Sequence, residues 1–157
     1  MTEKRPGGFI TLCILSWIYI GFEIIGQINA LFSGRMTDDQ IRDYKIELLK
    51  SQTEETLEIM GGMIDELVRI LEVTRDNMYF IAGADLIFAI IGGVAVYLMF
   101  QGRKIGFHLY IIYSLLAVAV QTYFFSGFTV GVIGIVFTAV ISIIFILIYR
   151  TYLKLMR

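Results

Sequence analysis

Apolar residues fill four stretches of the chain, roughly 9–32, 79–100, 107–125 and 129–149, and polar residues gather between them. About 20 helical residues, rising 1.5 Å each, cross the roughly 30 Å hydrocarbon layer of a bilayer, and each stretch is near or above that length. A backbone in lipid must satisfy its own hydrogen bonds. None of the four shows the strict alternation of a membrane barrel strand, so each is expected to be a helix. Pro6, the only proline, precedes the first stretch and leaves all four without a proline kink. The pattern predicts an all-α integral membrane protein: a bundle of four transmembrane helices, with an extracytoplasmic helical hairpin between the first and second.

Residues 33–78 form the hairpin segment. Thr37-Asp38-Asp39-Gln40 reads as a capping box that opens a helix, and Ile41, Tyr44, Leu48 and Leu49 follow on one side of it. A break is expected near Ser51 to Glu54. Beyond it Leu57, Met60, Ile64, Leu67, Leu71, Thr74 and Met78 recur at alternating spacings of three and four, a heptad seam. No strong stop signal separates this second arm from the second span, so the two are expected to run on almost continuously. Gly61-Gly62 interrupts the seam at a cost of about 2 kcal/mol of helix propensity, which implies a loosened helix or a close backbone neighbour. The seam packs either on the first arm or, through Leu57, Met60, Ile64, Leu67 and Leu71, on a partner.

Charge sets the orientation. Lys4 and Arg5, Arg103 and Lys104, and Arg150, Lys154 and Arg157 lie in short segments on one side of the predicted bundle. The six basic residues on the other side are spread along the hairpin segment, where eleven carboxylates leave a balance of −5. The dense positive side is expected to be cytoplasmic, with both termini there. Lys4 and Arg5 before an apolar run, with Ile28-Asn29-Ala30 behind it, have the layout of a secretory signal. The run is long for a signal core and contains Glu23, so it is expected to remain as the first spanning helix.

Composition agrees with a lipid-facing chain. Of 157 residues 57% are apolar and 17% charged, against about 45–50% and about 25% in soluble domains. One cysteine and one histidine give neither a disulfide framework nor a metal site within one chain, and no cofactor is expected. A net charge of −1 offers no electrostatic reason for nucleic-acid binding.

Ionisable residues at depth are where function is sought in a membrane protein. Glu23 lies nine residues in from Phe32, about 13 Å, and Asp85 six residues in from Tyr79, about 9 Å. Gln27 shares a face with Glu23, and Gln121 and Thr122 reach a similar level in the third span. Each span has one small or polar stripe: Ser16, Ile20, Glu23 and Gln27; Ala82, Asp85, Ala89, Gly92 and Gly93; Tyr110, Ser114, Ala117 and Gln121; Gly131, Gly134, Thr138 and Ser142. Such stripes pack inward. A polar pocket of Glu23, Gln27, Asp85, Gln121 and Thr122 is expected in the outer half of the bundle, either as hydrogen-bonded glue between helices or as a site for protons or cations. His108 and Cys13 are read as an interfacial anchor and a small buried filler.

No nucleophile elbow, phosphate-binding loop or His-Glu-x-x-His motif occurs, so an enzyme is not expected. The expected role is a non-enzymatic interaction or accessory module acting through the hairpin, on a membrane or extracytoplasmic protein or a second copy of the chain. The alternative is a small proton- or cation-coupled transporter using Glu23 and Asp85. The stretches Lys4-Arg5-Pro6-Gly7-Gly8-Phe9, Leu12-Cys13-Ile14-Leu15-Ser16-Trp17 and Arg103-Lys104-Ile105-Gly106-Phe107-His108-Leu109-Tyr110 resemble small bacterial inner-membrane proteins with four spans. That resemblance implies a bacterial plasma membrane. A carboxylate within the first of four helices is also similar to the small multidrug-resistance exporters, which implies for Glu23 a role in binding protons and cationic drugs. The 46-residue polar segment, 33–78, and the second carboxylate Asp85 depart from that pattern. Tetraspanin-like and claudin-like proteins share the four helices, but their outer loops depend on cysteine pairs that this chain lacks.

Overall fold

The computed structural model describes residues 6–50 and 54–156, with the side chains of 54–60 and 155, Leu57 and Met60 among them, outside the described residues. Six α-helices and no strands occur among the described residues: α1 (Gly7–Ser33), α2 (Asp38–Lys50), α3 (Glu54–Asp76), α4 (Met78–Phe100), α5 (Lys104–Phe125) and α6 (Thr129–Thr151). A short 3₁₀ turn, Leu153–Leu155, follows. α1, α4, α5 and α6 are long and apolar enough to cross a membrane.

The four long helices pack in the order α1, α4, α5, α6. α4 is central because its inward side is built of small residues: Ala82, Ala89, Gly92, Gly93 and Ala95 are buried between α1 and α5. Small side chains let backbones approach, the main source of helix association where lipid tails are as apolar as leucine. The approach is closest at Gly106, where an added Cβ would stand 2.6 Å from the Ala95 carbonyl oxygen and the Met99 nitrogen. Large apolar side chains point the other way. Phe22 is 72% exposed, Leu115 64% and Phe137 66%, a pattern that suits a hydrocarbon surrounding and would be a liability in water.

The α4–α5 connection is a Schellman turn. Gly102 takes a φ of 83°, its N–H bonds to the Met99 carbonyl at 2.8 Å, and the Arg103 N–H bonds to Leu98 at 2.9 Å. At this same end α6 meets α1. The Phe9 ring lies 5.4 Å from that of Tyr152 and 6.4 Å, edge on, from that of Tyr149. Tyr149 is fully buried, sharing a 2.9 Å hydrogen bond with the Ser16 hydroxyl and donating to the Leu12 carbonyl at 3.4 Å.

The α2–α3 hairpin sits at the opposite end. Its first turn is a reciprocal capping box: the Thr37 N–H donates to Gln40 Oε1 at 2.9 Å, and the Gln40 N–H to Thr37 Oγ1 at 3.3 Å. Ile41 and Ile64 are its buried apolar residues, with Leu48, Leu49 and Leu71 half-buried. Antiparallel ion pairs flank them: Lys45 to Asp65 at 2.8 Å, and Arg75 to Asp38. The Lys45 ammonium holds the Asp65 carboxyl below its ordinary range. At Gly61 and Gly62 an added Cβ would meet no described atom within 4 Å, so neither glycine is needed for a close neighbour there. α3 and α4 are separated by Asn77 alone, and backbone bonds from Asn77 to Val73 (3.1 Å) and Ile81 to Asn77 (2.9 Å) carry the ladder across.

α3 also grips the bundle. α6 begins without an acidic residue in its first turn and without a side-chain cap from its own chain neighbours. Glu66 supplies both, accepting the Val130 N–H and the Thr129 hydroxyl at 3.0 Å each. A carboxylate there meets orphan N–H groups and the positive end of the helix dipole. The Val130 N–H is the main reason that the Glu66 carboxyl is held below its ordinary range. With the folded value below the unfolded one, the contribution to stability is complete above the unfolded value, about 4.3, and disappears as acid protonates the folded carboxyl. Glu66→Gln is therefore expected to lower the melting temperature in detergent at pH 7, with the gap to wild type closing as pH falls below about 4; a gap that does not change with pH would argue against the cap.

Candidate functional site

Two cavities lie inside this frame. The inner one, about 230 Å³, lies between α1, α5 and α6 with Asp85 reaching in from α4, and exposed Tyr19, Phe137 and Ile141 are on its rim. Glu23, on the same α1 face as Ser16 and Ile20, enters from one side; Thr138 and Ser142 of α6 face it from the other. Tyr110, Ser114, Ala117 and Gln121 fall on one stripe of α5 and line its floor and wall. The position of each follows from helical periodicity, since residues three and four apart share a face.

Glu23 is half-buried and accepts a 2.8 Å hydrogen bond from the Tyr113 hydroxyl. The Tyr113 ring lies flat on Gly92, whose missing Cβ would stand 3.2 Å from three ring carbons. Glycine at that place in α4 thus sets how deep the phenol can sit. Below Tyr113 the rings continue, with Tyr110 at 5.8 Å and Tyr149 at 5.2 Å from Tyr110. This stack, with the Ser16–Tyr149 bond, closes the cavity toward the chain termini. Ser114 has a different status. Its side chain is 4% exposed and its Oγ has no hydrogen-bond partner among the described residues.

Asp85 is half-buried and, like Gln121 and Thr138, makes no side-chain hydrogen bond among the described residues. Buried polar groups are normally paired; Asp85, Gln121, Thr138 and Ser114 all line this cavity without such a partner among the described residues. No Lys, Arg or His lines the cavity. Its chemistry is acceptor-rich and negative, matched to a cation, a proton or a hydrogen-bond donor. Among the described residues no group of three or more His, Cys, Asp or Glu could hold a metal ion.

The chain matches no family model, no curated protein and no solved structure. The site alone carries the chemical argument.

Of the residues singled out from the sequence, Glu23, Asp85 and Gln121 line this cavity, and Gln27 and Thr122 do not. Gln27 is half-buried one turn beyond Glu23. Thr122 is exposed and donates to the Val118 carbonyl of its own helix at 2.7 Å. On the hairpin, Ile64 is buried, Leu71 half-buried, and Leu67 exposed, on the rim of the second cavity beside Ile70; Leu57 and Met60 have side chains outside the described residues. Tyr19, Tyr113 and the α6 hydroxyls were not assigned to the pocket from the sequence. The spacing does place Thr138 and Ser142 inward with their stripe, without assigning them to the pocket, whereas a tyrosine fits an interface belt as well as an interior.

Removing the phenol isolates its bond to the carboxylate. Tyr113→Phe is expected to cost about 1 kcal/mol in detergent, and a double-mutant cycle with Glu23→Gln should show the two to be coupled. Repeating the cycle in Gly92→Ala, whose methyl displaces the ring, should shrink the coupling; an unchanged coupling would show that Gly92 does not position Tyr113.

Proposed function

We propose that the protein is a small multi-pass membrane carrier that binds a cation at Glu23, with Asp85 as a second carboxylate. The observation that carries this reading is a carboxylate inside a bundle, facing a cavity with no basic lining residue and blocked by tyrosine rings on the side of the termini. A carboxylate at depth is costly and marks an ion or substrate path more often than a soluble-protein surface charge does. A cavity blocked at one end suits a carrier caught facing one side, rather than an open pore. Proton and cation then compete for one carboxylate, which is the simplest way to couple their movements. The density of Lys and Arg in the short segments supports cytoplasmic termini and an extracytoplasmic hairpin, and the resemblance of the first span and the second-to-third junction to small bacterial inner-membrane proteins supports a bacterial plasma membrane.

In proteoliposomes with an imposed pH gradient, ammonium, methylammonium and tetramethylammonium serve as probes. Wild-type protein is expected to give cation-dependent proton counterflow, and Glu23→Gln to abolish it. Asp85→Asn should raise the half-saturating concentration about tenfold, the equivalent of about 1.4 kcal/mol of lost attraction. Wild-type flux in both variants would remove this reading.

A second reading is the interaction module, favoured by Tyr44, Ile46 and Met63, which stay 46%, 40% and 41% exposed on the hairpin. It draws less support, because Ile64 of the seam is buried within the chain and Leu71 half-buried, although Leu67 stays 36% exposed. Photo-crosslinkers at Tyr44 and Met63 should then capture one discrete partner or a second copy in native membranes; a monomer-sized product alone would count against it.

A further inference from the structure

The inner cavity has a neighbour at Asp85. A second cavity, about 330 Å³, lies between α3 and the hairpin ends of α4, α5 and α6. Leu67 and Ile70 of α3 roof it, and Val130, Gly131 and Gly134 of α6 form part of its wall. The two cavities share three lining residues, Asp85, Gln121 and Thr138. All three are polar, come from three different helices, and lack side-chain hydrogen bonds among the described residues. In a bundle whose lipid-facing surface is Leu, Ile and Phe, three unpaired polar side chains around one constriction are groups that water or a cation would satisfy.

We propose that Asp85, Gln121 and Thr138 form the neck of a hydrated pathway by which small cations pass from the hairpin end, beneath α3, to Glu23. This rests on the reading of Glu23 as a cation site and adds the route and its sign. Three further observations point the same way. The opposite end of the inner cavity is blocked by Tyr110, Tyr149 and Ser16, so entry has to come from elsewhere. No Lys, Arg or His lines either cavity, so the field along the route is of one sign. Glu66 holds α3 at the N-terminus of α6 through Thr129 and Val130, the latter itself in the outer cavity wall, so the roof is fixed beside the mouth.

The test uses thiol accessibility in sealed membranes, with the full chain and wild type, whose only cysteine is the buried Cys13, as the blank. Three single cysteines are introduced: Asp43→Cys on exposed α2 to mark the hairpin side, Gly134→Cys in the outer cavity, where a Cβ meets nothing within 4 Å, and Ser142→Cys in the inner cavity alone. The reagents are the membrane-impermeant trimethylammonioethyl and sulfonatoethyl methanethiosulfonates. The Ser142→Cys variant is expected to react from the side that labels Asp43→Cys, and with the cationic reagent about tenfold or more faster than with the anionic one, as a negative pathway requires. Adding Thr138→Leu, which plugs the neck, should slow Ser142→Cys about tenfold or more while Gly134→Cys keeps its rate and so reports an intact fold. Labelling of Ser142→Cys from the other side, no labelling from either side, no charge preference, or no effect of the plug each overturns the route. The two proposals fail separately. Labelling through the neck combined with undiminished cation flux in Glu23→Gln keeps the route and removes Glu23 as the site. Flux that needs Glu23 without labelling through the neck does the reverse.

Discussion

The Tyr113 hydroxyl donating to Glu23 is the contact that makes the rest of the bundle intelligible. A carboxylate within an apolar helix has to find a partner or water, and the nearest donor belongs to α5, on the far side of α4's glycine surface. For the phenol to reach α1, its ring has to lie directly on Gly92. Alanine at that one position would put a methyl 3.2 Å from the ring and press it back by a few tenths of an ångström. The small residues of α4 therefore serve packing and polar satisfaction together: they draw α1 and α5 close, and the closeness brings donor to acceptor.

α6 is held by a different principle. Tyr149 is its only buried residue, and most of its side chains face outward. It is pinned near its two ends by polar contacts, Tyr149 on Ser16 at one and Glu66 on Thr129 and Val130 at the other. Between these pins it stands off from α1, and the inner cavity fills the gap. A tightly packed apolar α6 would have left no such space. The cavity is thus a consequence of where the interhelical hydrogen bonds were placed, near the ends of the helix.

The sequence pattern made the spans legible because the length of an apolar run is set by the bilayer and needs no tertiary information. Thr37 and Gln40 were legible for a similar reason, since a capping box is local. Rotation of the helices was less so. Gln121 and Thr122 are adjacent and at one depth, yet one lines both cavities and the other is exposed on its own helix's backbone bond. Depth cannot separate neighbours about 100° apart on a helix; the packing of Gly106 against α4 does. Gln27 sits one turn past Glu23, beyond the inner cavity, which ends on that side near Asp85 and Gln121. The Glu66 cap was not legible at all, because its partners are more than sixty residues away. Its one sequence trace is the missing acid in the first turn of α6.

The hairpin's acidity acquires a physical meaning from its position. Residues 33–78 carry a balance of −5, while Arg103, Lys104, Arg150 and Lys154 lie at the other end of the bundle. α3 lies directly over the outer cavity, with Glu66 close to its wall. A surface of one sign around a low-dielectric opening focuses field lines and raises the local concentration of the opposite charge. On the proposed cation route, the segment that separates this chain from a compact four-helix protein would draw cations to the mouth before Asp85 meets them. Exposed charges act there through their sum, so the effect weakens as salt rises and depends little on any single carboxylate.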